Sequence, residues 1–125
     1  MRRHVFSGSP YEPAFGFARA VVDGRHVYVS GTAPVMPDGQ ELPADAYAQA
    51  QRCLQIIRDA LYAAGAAPEH VVRTRVYLRS ADVWEEVARA HAEMFGDVRP
   101  AATAVVTSLL DPRWHVEIEA EALLP

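Results

Sequence analysis

The sequence predicts an α+β fold: one mixed β-sheet covered on one face by two helices, in the order β-β-α-β-α-β-β. Three observations predict it. Two segments step their apolar residues by three and four, the period of a helix packed on one side. Five other stretches are β-prone and partly alternating. Strands do not alternate strictly with helices, which argues against a doubly wound parallel sheet. At 125 residues, 50% hydrophobic and 22% charged, the chain reads as a single globular domain over 1–125.

Residues 1–15 read as turn-rich, with Ser7-Gly8-Ser9-Pro10 and Glu12-Pro13. Arg19-Ala20-Val21-Val22 and His26-Val27-Tyr28-Val29-Ser30 flank Asp23-Gly24, a hairpin signal. Residues 32–43 hold Pro34, Pro37, Asp38-Gly39 and Pro43 and read as a loop. A helix follows, with Tyr47, Ala50, Leu54, Ile57, Leu61 and Ala64 as its apolar stripe. Gln49, Gln51, Arg52, Gln55, Arg58 and Asp59 take the other side, and Cys53 at the stripe's edge reads as a small packing residue. Asp45 suits the N-cap and Gly65 the C-terminal stop.

Val71 to Leu78 reads as a strand, with Val72, Thr74, Val76 and Leu78 on one side and Val71, Arg73, Arg75 and Tyr77 on the other. The second helix is expected from Asp82, with Glu85 completing a capping box and Gly96 ending it. Its apolar face is Val83, Val87, Ala90 and Met94. Residues 101–108 form a further β candidate. The last run, 114–124, sets Val116, Ile118, Ala120 and Ala122 on one face and Glu117, Glu119 and Glu121 on the other. Helices on one side leave the other sheet face open, with Tyr28, Val71, Tyr77 and Val105 on it. Such a face finds a partner, most simply copies of itself in a closed ring.

Composition excludes several functions. The net charge is −4, and all 12 basic residues are Arg, so no Schiff-base or P-loop lysine exists. The basic residues do not cluster, so no nucleic-acid partner is expected. The five His are scattered without a metal motif, and one Cys makes neither a disulfide nor a Cys-based zinc site. No metal or cofactor is expected. No apolar run approaches the about 18 residues of a membrane helix. With no signal peptide apparent, a cytoplasmic protein without a membrane partner is the expectation. The row of Glu117, Glu119 and Glu121 has two readings. It is a solvated strand face, or one Glu lines a cleft, shaped in part by Pro112 and Trp114, where desolvation suits it to general-base work.

Four segments together resemble the RidA/YjgF family of reactive-intermediate deaminases, whose older labels include endoribonuclease L-PSP. They are Val27-Tyr28-Val29-Ser30-Gly31-Thr32-Ala33-Pro34 with Pro37-Asp38-Gly39; Ala48-Gln49-Ala50-Gln51 with Leu54, Ile57 and Ala63-Ala64-Gly65; Glu69 to Leu78; and Arg99-Pro100-Ala101-Ala102-Thr103 with Val116-Glu117-Ile118-Glu119-Ala120. The resemblance implies a chorismate-mutase-like fold, a homotrimer whose sheets form a central barrel, and small-molecule clefts at the subunit interfaces. It also implies hydrolysis of 2-imino acids or enamines to keto acids and ammonia.

Carried over by position, Ser30 and Gly31 match the family's strand end, and Glu117 matches its water-positioning Glu. Phe17 stands where active members often carry Tyr, and Ala104 where many carry Cys. Ala102 stands where the motif has the Arg that holds the substrate carboxylate. Removing one partner of a buried charged pair costs about 3–5 kcal/mol, so ordinary 2-imino acid turnover is not expected unless another Arg substitutes. Arg99 and Arg19 are the substitutes considered. The expected ligand-binding set is therefore Phe17, Ser30, Gly31, Ala102, Ala104, Arg99 and Arg19 around Glu117. A neutral or apolar ligand suits Phe17, Ala102 and Ala104. The alternatives are a retained deaminase and a non-catalytic regulatory trimer.

Overall fold

The computed structural model describes residues 2–125. Six strands form one sheet in the order β1-β2-β3-β6-β4-β5, where β1 is Arg2–Val5, β2 Ala20–Asp23, β3 His26–Thr32, β4 Val71–Leu78, β5 Ala101–Val106 and β6 Val116–Leu123. All neighbours are antiparallel except β4 and β5, which run parallel. Three helices accompany them: α1 (Tyr11–Phe15), α2 (Ala46–Ala63) and α3 (Trp84–Phe95). α2 packs on β3 and β6, and α3 packs on α2. The predicted α+β class, with its long helices on one face of a mixed sheet, is what the chain adopts. None of the described helices is long and apolar enough to cross a membrane.

The core lies between α2 and the sheet. Val27, Val29, Val116, Ile118, Ala120 and Ala122 meet Ala50, Leu54, Ile57 and Leu61, all nearly or fully removed from solvent. β6 alternates buried and half-buried along its whole length, as its Val/Ile/Ala against Glu pattern requires. Asp45 caps α2 by accepting from the Ala48 N–H at 3.0 Å, and Gly65 (φ +89) follows its end.

Several expectations are corrected. β1 and α1 lie inside the stretch read as turns. β1 pairs with β2, with Arg2 bound to Asp23 at 2.9 Å, and one apolar residue in four gives no β pattern to detect. The hairpin loop is Gly24-Arg25, because Asp23 still pairs with His26. Val71 is buried and Val72 exposed: the register against β6 shifts between Val71 and Arg73, which inverts the sidedness at the start of β4. The second long helix starts at Trp84, after a short turn at Ala81–Val83 whose Asp82 N–H is capped by Ser80, so the box with Glu85 is not used. Its buried face is Val87, Ala90 and Phe95, with Val83 and Met94 only partly covered. Gly96 follows in right-handed conformation. The fifth strand stops at Val106.

Gln49, expected on the polar side of α2, is buried. Its side-chain N–H groups donate to the carbonyls of Pro43 and Arg113 at 2.8 and 3.0 Å, and its carbonyl accepts from the His115 N–H at 2.8 Å. It ties the loop before α2 to Arg113 and His115, the segment that leads into β6.

Candidate functional site

β3 carries one extra residue against β6 where Ser30 and Gly31 lie, since Val29 pairs with Ala120 and Thr32 with Ile118. The bulge turns the strand end toward β6. Ser30 is fixed by its N–H to the Arg19 carbonyl at 2.9 Å and its hydroxyl to the Ala18 carbonyl at 2.7 Å. Glu117 reaches this point from the open face of β6. A methyl group at Gly31 would stand 2.9 Å from Glu117 Oε1, so the glycine is what lets the carboxylate approach the bulged strand.

The three carboxylates of β6 have separate fates. Arg75 on the neighbouring strand contacts Glu121 at 3.0 Å and Glu119 at 3.7 Å, and the Tyr77 hydroxyl donates to Glu119. The bond to Glu119 raises the Tyr77 pKa. Glu117 has no hydrogen-bonded or ion-paired partner among the described residues. Burial pushes its pKa above the usual carboxylate range, with nearby Arg19 pulling the other way and Glu119 adding to the rise. A carboxyl kept from solvent and unpaired is the stronger base once ionised.

Beneath it lies a buried ion pair. Arg19 Nε sits 3.3 Å from Glu12 Oε2, and both side chains are almost fully buried. Arg19 Nη1 donates at 2.8 Å to the Gly31 carbonyl and to Thr32 Oγ1. Glu12 also accepts from the Ser7 N–H at 2.9 Å and from the Ser7 hydroxyl. Burial pushes the Glu12 pKa up, but the bonds from Ser7 and Arg19 outweigh it and hold the carboxyl below its ordinary value. This network locks α1, the segment after it and the end of β3 together.

Glu117 opens into a cleft of about 840 Å³ with mainly apolar walls. Phe17, Ile56 and Trp114 line it; Tyr11 meets Trp114 edge-on at 5.7 Å, and the Arg19 guanidinium lies 5.1 Å from the Phe17 ring. Phe15 and Leu110 stand at its mouth, 87% and 91% exposed. The cleft thus brings together five of the residues singled out in the sequence: Glu117, Phe17, Ser30, Gly31 and Arg19.

The other three lie outside it. Arg99 is exposed beyond α3, with φ 55 just before Pro100. Ala102 and Ala104 are exposed on the edge strand, level with Thr74 and Val76, which face the helices rather than Glu117. Pro112 is not among the wall residues, whereas Trp114 is. The residues missed from the sequence are Tyr11, Glu12 and Arg52. Glu12 gave no signal, because a carboxylate in a turn-rich segment is ordinarily solvated.

A family model described as Endoribonuclease L-PSP matches residues 8–124. Among curated proteins, an uncharacterised protein of Streptomyces coelicolor is 41% identical over 121 residues, 96% of this chain and 90% of its own length. The 2-iminobutanoate/2-iminopropanoate deaminase of Rattus norvegicus is 32% identical over 123 residues, 97% of this chain and 90% of its own length. Among solved structures, a Mycobacterium tuberculosis member of the YjgF/YER057c/UK114 family superposes with a TM-score of 0.90 at 40% identity, covering 99% of this chain and all of the other.

Proposed function

The chain belongs to the endoribonuclease L-PSP family, the RidA/YjgF proteins, and from that premise we propose that it hydrolyses an imine, an enamine or a related C–N bond of a small molecule held in the Glu117 cleft. The observation that carries the reading is Glu117 itself: unpaired, half-buried, raised in pKa, and beside a glycine that clears its approach. Ionised Glu117 takes a proton from a water as its oxygen bonds to the imine carbon. That proton passes to the nitrogen to give a carbinolamine; the proton of its new hydroxyl then moves to the amine, the C–N bond breaks as the C=O bond forms, and ammonia leaves behind a carbonyl product. The carboxylate ends as it began, and no cofactor takes part.

The reading includes assembly as a homotrimer in the cytoplasm, with one cleft at each subunit interface. The open sheet face supports the trimer, since Tyr28, Val105 and the Arg75 network stand uncovered on it. The exposed Phe15 and Leu110 at the cleft mouth suit closure by a neighbouring subunit. A deaminase anchored by Arg19 or Arg99 is less well supported, so turnover of a 2-imino acid requires a different group of the cleft to hold its carboxylate. Arg19 is neutralised by Glu12 and spends Nε and Nη1 on the fold, and Arg99 lies outside the cleft of its own chain.

The test generates 2-imino acids in place with an amino-acid oxidase and follows keto-acid release. Wild type should accelerate release and Glu117→Gln should not. Because Glu117 acts ionised and its pKa is raised, kcat/KM should climb with pH through a value above the usual carboxylate range. Equal rates for the two proteins would remove Glu117 from catalysis, and silence of both would turn the assignment to a binding trimer.

A further inference from the structure

Arg52 projects from α2 into the cleft that Glu117, Phe17 and Trp114 line. Its Nε donates to the Val35 carbonyl at 2.7 Å, which fixes the plane of the guanidinium. The two terminal nitrogens carry no hydrogen bond among the described residues, and no carboxylate pairs with them there. Asp38 on the loop also lines the cleft, but it is exposed and forms no ion pair with Arg52. Arg19, the other cation of the cleft, is already matched by Glu12.

A guanidinium steadied by one N–H, with its terminal fork free in an apolar-walled cleft, matches a carboxylate in bidentate fashion. Its ordering is already supplied by Val35, so little side-chain freedom remains to be lost on binding. We infer that Arg52 anchors the ligand of this cleft by binding the carboxylate of an organic acid whose apolar body lies along the Phe17 and Trp114 wall. The inference rests on the small-molecule reading above and adds the ligand's charge and the residue that recognises it. It places the anchor on α2 in place of β5, where Ala102 offers none. It also replaces the expectation of a neutral ligand drawn from the sequence. A single free cation suits a monoanion, and the aromatic walls favour a bulky body over a short one.

The test is calorimetric titration of the assembled protein with phenylpyruvate and with phenylacetone, which has the same body without the carboxylate. Phenylpyruvate should bind wild type, and Arg52→Gln should weaken it about ten- to a hundredfold, the worth of hydrogen bonds to a charged group. Phenylacetone should bind weakly and equally to both. Arg52→Lys, which keeps the charge and loses the fork, should fall between, and it carries the test if the Gln variant does not fold. Glu117→Gln should retain phenylpyruvate binding while losing turnover, which separates the anchor from the chemistry. Unchanged binding to Arg52→Gln, or equal affinity for the two probes in wild type, would overturn the anchor and leave the cleft standing. No binding of either probe to wild type would overturn both.

Discussion

Gly31 and Glu117 are coupled by distance, so a methyl group at one is a perturbation of the other. Gly31→Ala brings a carbon to 2.9 Å from Oε1, and the carboxylate must swing away. Turnover in the imine assay should fall at least tenfold while the melting temperature moves little, because Gly31 borders the cleft. Glu12→Gln tests the opposite kind of residue. It leaves the buried Arg19 guanidinium without its counter-charge, a loss of about 3–5 kcal/mol in denaturant unfolding. The row of Glu117, Glu119 and Glu121 was legible because residue type and strand position raise the question of a base, and only the family resemblance singled out Glu117 from it. Arg52 was not, since on a helical wheel it is one more polar residue on the outer side. Its role depends on where residues 32–43 pass over α2, and no local pattern encodes that.

At the scale of elements, α3 is joined to the sheet through a polar contact. His91 Nε2 lies 2.9 Å from Thr74 Oγ1 on β4, with Phe95 at 4.8 Å. Burial lowers the His91 pKa below its ordinary 6.5. The neutral ring is therefore the form the fold accepts. Above pH 6.5 both folded and unfolded chains carry it neutral, and stability is unaffected. As pH falls through that value the unfolded chain gains a proton first, and stability declines until the folded ring also titrates. Melting temperature should drop as the pH is lowered below 6.5, and His91→Gln should flatten that drop. The elements with long-range periodicity, α2, β4 and β6, were legible from the sequence. Those fixed by partners were not: β1 exists through β2, and α1, five residues long, is held by Glu12 bonding to Ser7 and Arg19. The inverted Val71 and Val72 show the same limit, since a bulge is a property of two strands and parity is a property of one.

For the whole molecule, the open sheet face is the feature that most needs a second copy. Sedimentation equilibrium should give three times the chain mass, and Val105→Glu, on an edge strand exposed along its length, should shift it toward the single chain. A wild-type mass of one chain would overturn the trimer. Cys53 has a different consequence at this scale. Its thiol is wholly buried in α2 against the Val116 carbonyl, and burial drives its pKa far up. Reagents that attack thiolates therefore reach it only when α2 lifts from β6. With no second thiol in the chain, the rate of its alkylation is a clock on that opening, readable by mass in the untouched native sequence.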